Sequence, residues 1–202
     1  MEGNARYVSG QLKERDFSAG RVARTQGQKP FAAILGCADS RVAPELAFDQ
    51  GPGELFVVRV AGNFVTPDGL GSLEYGAAVL GTKVIMVLGH TSCGAIGATI
   101  GALQNGNTLP GHIAGLVTAM KPGIEAVVKT PGPDLEQRAV VANVQANVRR
   151  LQTEKPILGD MVAEMDEAEL LEQVGQRLGI GAGELDELEA VEADRVFAGG
   201  HG

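Results

Sequence analysis

Three short apolar runs along the chain have the pattern of buried strands. They cover residues 31–36 (FAAILG), 54–60 (ELFVVRV) and 83–88 (KVIMVL). Runs this short and this continuously apolar are typical of strands covered on both faces of a parallel sheet. Apolar residues at helical spacing predict helices between and after these runs, over residues 42–48, 70–80, 95–104, 113–120 and about 134–152. The helix over 113–120 is expected to end at the KPG sequence of residues 121–123.

Alternating strands and helices predict an α/β fold, in which helices flank a mostly parallel central sheet. Residues 1–29 are predicted to form a helical arm whose few apolar residues must pack on the sheet or on a partner subunit. The chain is divided at residue 160. Residues 1–160 form the domain, and residues 161–202 are predicted to be an atypical, acidic helical extension at the carboxyl end.

Composition and charge exclude several classes of function. The chain has 202 residues and a formal net charge of −8, which argues against binding to nucleic acid or to an anionic membrane. It contains no apolar span long enough for a transmembrane helix. The opening residues MEGNARYVSG lack the charged and apolar regions of a signal peptide, so a cytoplasmic location is predicted.

Chemically useful side chains follow two of the predicted strands. Cys37, Asp39 and Arg41 come directly after the first strand, and His90 and Cys93 come directly after the third. Because the carboxyl ends of parallel strands meet at one edge of a sheet, these side chains are expected to lie together. Two thiols and an imidazole suit a tetrahedral zinc site. The chain has only these two cysteines, so a disulfide between them is the alternative, and the nearby histidine and carboxylate favour the metal.

The sequences CADSR (37–41) and GHTSCG (89–94), with GELFVVRVAGN and GSLEYGAAVLG between them, resemble the β-class carbonic anhydrases. The resemblance covers about residues 3–160. It implies a zinc enzyme that interconverts CO2 and bicarbonate, with one Zn2+ per chain and residues 1–160 as the zinc domain. It also implies a homodimer or a higher even oligomer, because the substrate pocket of the family forms across a dimer interface.

The resemblance also implies roles for individual residues. Cys37, His90 and Cys93 match the zinc ligands. Asp39 matches a carboxylate that either takes the fourth zinc position or pairs with Arg41 and leaves that position to water. The substrate-binding positions are matched by Gln28, Phe56 and Tyr75. The chain departs from the family pattern after the helix over 134–152, where members have a further strand and this chain has acidic helical patterns.

These residue types suit the reaction because zinc lowers the pKa of a bound water towards about 7, so that a zinc-bound hydroxide is available to attack CO2. Two thiolates donate more charge than imidazoles, which predicts activity weighted to alkaline pH. The motifs do not separate CO2 from carbonyl sulfide or carbon disulfide as the substrate. A non-catalytic zinc protein with an interaction surface is a further alternative, and a thiol redox protein is weakened by the absence of a C-x-x-C sequence.

The cation in the second predicted strand has its own interpretation. Arg59 lies in an otherwise apolar run, which predicts a buried charge that needs a partner, in a structural or interfacial role, with bicarbonate binding as the minor alternative.

Overall fold

A three-stranded parallel sheet is the centre of the fold. A computed structural model of the chain describes residues 1–164. The strands are β1 (Ala32–Gly36), β2 (Leu55–Arg59) and β3 (Ile85–Leu88), in the order β2-β1-β3. All five residues of the central strand are buried, as its continuous apolar run predicts. The predicted α/β fold, a mostly parallel sheet flanked by helices, is confirmed, and each strand is one or two residues shorter than its apolar run.

Eight helices surround this sheet in the described part of the chain. In chain order they are α1 (Glu2–Val8), α2 (Arg21–Arg24), α3 (Pro44–Ala47), α4 (Pro67–Ala78), α5 (Gly94–Asn105), α6 (Ile113–Val128), α7 (Leu135–Thr153) and α8 (Leu158–Ala163). None of them combines the length and the apolar character that crossing a bilayer requires.

The two faces of the sheet are covered unequally. On one face, Ala33 and Leu35 of β1 pack with Leu73 of α4 and Val144 of α7 in a large apolar cluster. On the other face, Ile34 and Leu88 pack only with the short α3 and its neighbours. Apolar side chains there are left half-buried, and they are Val42, Leu55, Val57 and Met86. The second face therefore has apolar surface available for further packing.

Helix α4 begins three residues earlier than the apolar spacing predicts. The Thr66 hydroxyl accepts a hydrogen bond from the Gly69 amide at 3.0 Å, and Pro67 occupies the first helical position. Both are standard signals for the start of a helix. The hydrophobic pattern alone misses them because the first turn carries no apolar stripe.

The predicted end of the helix over residues 113–120 is wrong. Helix α6 was expected to stop at the KPG sequence, but it continues through Pro122 to Val128. Proline removes one backbone hydrogen bond from a helix interior. The cost is offset by packing, since Met120, Ile124 and Val128 lie on both sides of Pro122 and are buried in one cluster. Tertiary burial therefore overrides the local signal.

The amino-terminal arm is attached to the domain by polar contacts. Asn4 donates a hydrogen bond to the Ala47 carbonyl at 2.9 Å, and Arg6 and Arg15 both form ion pairs with the buried carboxylate of Asp49. The apolar residues of the arm do not pack on the sheet of this chain. They are exposed to between 39% and 76% of their surface, and they are Tyr7, Val8, Leu12, Phe17 and Val22. Of the two contacts predicted for these residues, the sheet of the same chain is therefore excluded.

The predicted acidic helical extension over 161–202 lies outside the described residues from position 165 onwards. Helix α8 crosses the proposed boundary at residue 160, and the division into a domain and an extension stays a prediction.

Candidate metal centre

The register of the sheet brings the two chemical segments together. Gly36, the last residue of β1, pairs with Leu88, the last residue of β3. Cys37 follows Gly36 directly, and His90 lies two residues after Leu88. Both segments therefore leave the sheet side by side at its carboxyl edge, as expected for a parallel sheet.

Cys37, His90 and Cys93 form a compact, buried cluster. Their candidate ligand atoms all lie within 4.8 Å of one another, and the three residues are exposed by 4%, 4% and 1%. The two cysteines are not joined by a disulfide. A buried set of two sulfurs and one imidazole nitrogen is a zinc donor set with room for a fourth ligand.

The histidine is oriented in the way a metal requires. Nδ1 of His90 lies 2.9 Å from the Thr91 carbonyl, so this nitrogen carries the proton and donates it. The other nitrogen, Nε2, is buried and has no hydrogen-bond partner among the described residues. An unprotonated, desolvated imidazole nitrogen is costly unless something binds it. The residues present therefore fit a metal ion.

The turn between the two ligands of the second segment is tight. Ser92 has a φ of +53°, in the left-handed region, and Cys93 is the N-cap of α5. The amides of Ala95 and Ile96, in the first turn of α5, offset part of the rise in the pKa of Cys93 that the Cys37 side chain and burial cause. The helix therefore helps to hold negative charge at this position.

The two thiols of the cluster differ in pKa. A hydrogen bond from the Cys93 side chain, with smaller contributions from the amides of Gly62 and Asp39, lowers the pKa of Cys37 to about 4. The hydrogen bond to Cys37, together with burial, raises the pKa of Cys93. The Cys37 side chain also raises the pKa of His90 although its sulfur does not complete a hydrogen bond with Nε2. Of the two thiols, Cys37 is therefore the one whose thiolate form is favoured.

Asp39 is held away from the cluster by Arg41. Nε and Nη2 of Arg41 donate to the two carboxylate oxygens at 2.9 and 2.7 Å, and the Arg41 amide donates to Oδ1 at 2.9 Å. The hydrogen bonds from Arg41 hold the pKa of Asp39 well below its usual range. Of the two arrangements that the resemblance allows, this chain adopts the pair with arginine.

The prediction of a buried charge at Arg59 is wrong. Arg59 is exposed, and its guanidinium donates to the carbonyl groups of Cys37, Asp39 and Val42 at 2.8, 2.6 and 3.1 Å. It lies at the end of β2, where the strand leaves the apolar core. Its role in this chain is to fasten the backbone of the segment that carries Cys37 and Asp39.

The other predicted site residues do not join the cluster within one chain. Phe56 pairs in register with Ala33, four residues before Cys37, and its ring lies 6.4 Å from that of Tyr75. Four strand residues span roughly 13 Å. Gln28 is exposed in the loop before β1, and 47% of Tyr75 is exposed. The structure therefore assembles the three ligands, Asp39 and Arg41, and leaves Gln28, Phe56 and Tyr75 apart from them.

Two backbone amides at the site were missed by the sequence reasoning. Gly62 and Asp39 donate their N–H groups to the Cys37 sulfur at 3.3 and 3.4 Å. Gly62 has a φ of +91°, and a side chain there would overlap the sulfur of Met120. The available signal is the glycine in the sequence VAGN (60–63), which marks a special turn after β2.

Comparisons with known proteins agree with this geometry. A family model described as "Carbonic anhydrase" matches residues 32–185. A carbonic anhydrase of Mycolicibacterium smegmatis is 47% identical over 124 residues, which are 61% of this chain and 60% of that protein. The match thus spans about three fifths of the length of this curated relative.

Two solved structures also resemble the chain. The Coccomyxa β-carbonic anhydrase in complex with acetazolamide has a TM-score of 0.63 and 30% identity, covering 72% of this chain and 67% of that one. A structure from a study of two tetrameric β-carbonic anhydrases of Sordaria macrospora has a TM-score of 0.62 and 24% identity, covering 79% and 80%. The second likeness shows the fold alone.

Proposed function

Because the chain belongs to the β-class carbonic anhydrase family, we propose that it catalyses the reversible hydration of CO2 to bicarbonate and a proton. The buried cluster of Cys37, His90 and Cys93, beside an Asp39 carboxylate held by Arg41, is the observation that carries this proposal. Two thiols and an imidazole nitrogen would hold one Zn2+ per chain. When bound, the zinc supplies the Lewis acidity that makes water a nucleophile near neutral pH.

Asp39 and Arg41 are the proposed catalytic residues. Asp39 stays ionised at neutral pH, because Arg41 lowers the pKa of its carboxyl group. A carboxylate held this way can accept a hydrogen bond from the attacking water and orient it towards CO2. Arg41 also donates to the Ser92 carbonyl at 3.0 Å, so it joins the segments that carry the three metal ligands. The pair thus fixes a proton acceptor beside the metal without occupying a ligand position.

The substrate-binding roles of Gln28, Phe56 and Tyr75 are proposed to be fulfilled across a homodimer. Phe56 lies on β2 opposite Ala33, far from the end of β1 where Cys37 lies, and in the proposed dimer a second copy would bring its own Phe56 to the metal. The exposed apolar residues of the arm and the thinly covered face of the sheet supply apolar surface for that contact. The Sordaria macrospora enzymes are described as tetrameric, which is an even multiple of a dimer.

An apolar wall beside the metal would suit the substrate, because CO2 is small and carries no charge. Gln28 would hold an oxygen atom of bicarbonate by a hydrogen bond, while the aromatic rings of Phe56 and Tyr75 would exclude water. The cytoplasmic location stays a prediction from the sequence.

The proposal is tested by stopped-flow measurement of CO2 hydration with the zinc-loaded protein between pH 7 and 9. We expect a rate far above that of buffer, rising with pH. Cys93→Ser removes one ligand and is expected to abolish both the rate and the bound zinc. Ser72→Ala on α4, remote from the cluster in sequence, is the control and should keep both. A wild-type protein that holds one zinc per chain and shows no activity at any pH would contradict the proposal.

A further inference from the structure

A chain of hydrogen bonds connects helix α7 with a ligand of the metal centre. The loop over residues 60–66 joins β2 to α4, and Gly62 in this loop donates its amide to the Cys37 sulfur. The carbonyl of the same Gly62 accepts a hydrogen bond from Nδ2 of Asn143 at 2.8 Å. Asn143 lies on α7 and is exposed by only 1%. Gly62 is therefore held on one side by the helix while it donates to the sulfur on the other.

The loop is fastened to α7 at a second point. Oδ1 of Asn147 accepts a hydrogen bond from the Val65 amide at 2.8 Å, and Nη1 of Arg150 donates to the Val65 carbonyl at 2.9 Å. Nδ2 of Asn147 donates in turn to the Asn143 carbonyl at 2.8 Å. Asn143, Asn147 and Arg150 are spaced by four and three residues, so they lie on one face of the helix.

The loop over residues 60–66 has a backbone conformation that needs support from outside the loop. Gly62 and Asn63 both have positive φ values, +91° and +40°, and Asn63 is not a glycine. Asparagine tolerates positive φ better than most residues, but two consecutive residues in this region are unusual and need support from their surroundings. Backbone hydrogen bonds of Val60 with Gly36 and Ala38 support the start of the loop, and the buried side chains of Asn143 and Asn147 support it at Gly62 and Val65.

The amide of Gly62 matters because two sulfurs lie side by side in the cluster. Metal binding requires both thiols to be deprotonated, and two adjacent thiolates repel each other in a buried site. An N–H group directed at one sulfur offsets part of this charge. Groups that hydrogen-bond to metal ligands typically change metal affinity by 10–100-fold when they are removed.

We propose that Asn143 is a positioning residue of the metal centre, which acts through the Gly62 amide on the Cys37 sulfur. The proposal rests on the metal binding stated under the proposed function, and it adds a group that touches neither metal nor substrate. The effect of Asn143 is on how tightly the metal is held and on the hydrogen bond to the sulfur.

The test compares Asn143→Asp with the wild type. Ionised aspartate has the same shape, still accepts from Nδ2 of Asn147 and cannot donate to the Gly62 carbonyl, so the variant is compared at alkaline pH, which favours the ionised form. Zinc transfer to a chromogenic chelator is expected to be about tenfold faster in Asn143→Asp. Leu151→Ala is the matched control, because Leu151 is buried on the same helix and lies in another cluster. This control reports the effect of a destabilised α7 alone.

A spectroscopic measurement isolates the hydrogen bond. In 15N-labelled protein loaded with 113Cd, we expect through-bond couplings from cadmium to the amide protons of Gly62 and Asp39, the two donors to the Cys37 sulfur. Asn143→Asp should weaken or remove the Gly62 coupling and retain the Asp39 coupling. Should Asn143→Asp fail to fold, Asn143→Ser, which is too short to reach the Gly62 carbonyl, takes its place.

The possible failures are distinguishable. A wild type that binds neither zinc nor cadmium overturns the proposed metal centre itself. A wild type that binds cadmium without a Gly62 coupling overturns only the role of the amide. A variant that keeps the Gly62 coupling, or that releases zinc no faster than Leu151→Ala, overturns the role of Asn143.

Discussion

Nε and Nη2 of Arg41 donate hydrogen bonds to the two carboxylate oxygens of Asp39, at 2.9 and 2.7 Å. The same guanidinium donates to the carbonyl of Ser92, between His90 and Cys93. The position of the carboxylate is therefore coupled to the segment that carries two of the three candidate ligands. A change in Arg41 should act on both.

Arg41→Lys is expected to lower kcat/KM for CO2 hydration by about a hundredfold, in the range of a misplaced proton acceptor. Lysine keeps the positive charge but lacks the planar fork that holds both oxygens. Zinc content should stay at one per chain. Arg149→Lys, at an exposed position of α7, is the control and should be silent. An Arg41→Lys enzyme with wild-type activity would exclude the proposed role of the pair.

Asp49 is expected to make the attachment of the arm sensitive to acid. Hydrogen bonds from Arg15, then from Arg6, lower its pKa to about 2 in the folded protein, against about 3.9 in an unfolded chain. The folded pKa is the lower one, so this contribution to stability is fully present above about pH 4. It is lost as the pH falls through about 2.

Asp49→Asn is the variant that tests this pH dependence. Asn tolerates the positive φ of +49° at this position, so the backbone is not strained by the change. Urea unfolding should show the wild type to be more stable than Asp49→Asn at pH 7, with the difference shrinking between pH 4 and 2. A difference that does not change with pH would show that the carboxylate charge is not responsible.

The same substitution, glycine to alanine, is expected to have opposite effects in two helices. A Cβ at Gly3 of α1 would overlap the backbone carbonyl of Phe48, whereas a Cβ at Gly71 of α4 meets nothing within 4 Å. Gly71→Ala should stabilise the protein by up to about 1 kcal/mol through helix propensity. Gly3→Ala should lower the melting temperature and expose the arm to proteolysis. Equal effects of the two variants would contradict the close packing at Gly3.

The exposed arm gives a direct test of the proposed dimer. Phe17→Asp with Val22→Asp should yield a monomer in sedimentation experiments, because charges would replace the apolar surface of the arm. The monomer should keep its zinc, since all three ligands belong to one chain. It should lose activity, since Phe56 and Tyr75 are then absent from the pocket. Ile113→Asp, an exposed apolar position outside the arm, serves as the control and should remain dimeric.

The sequence predicts most of the sheet and of the metal centre, because both depend on short-range patterns. Buried parallel strands are apolar runs, and Cys37, His90 and Cys93 follow two of these runs directly. Their proximity then follows from the parallel topology. The pairing of Asp39 with Arg41 is also local, since the residues are two positions apart.

Long-range contacts account for what the sequence does not predict. The continuation of α6 through Pro122 depends on the burial of Ile124 and Val128 against other helices. The bond between Asn143 and Gly62 joins residues 81 positions apart, and no spacing along the chain reveals it. Within its apolar run, Arg59 looks like a buried charge. Its exposed position follows from the register of β2 against β1, which pairs Arg59 with Gly36 at the end of the sheet, and the sequence of the run does not reveal this register.

The pairing of β1 with β3 also sets an order of events during folding. Cys37 emerges with β1, but its neighbour His90 is more than fifty residues further along the chain. Contacts between segments so far apart form slowly, because a long loop must close, at a cost in entropy, before the contacts can stabilise the chain. A chain that ends after β2 carries a single thiol and no imidazole from the cluster. The capture of a metal is therefore expected to follow the docking of β3, and to be one of the last steps by which this domain matures.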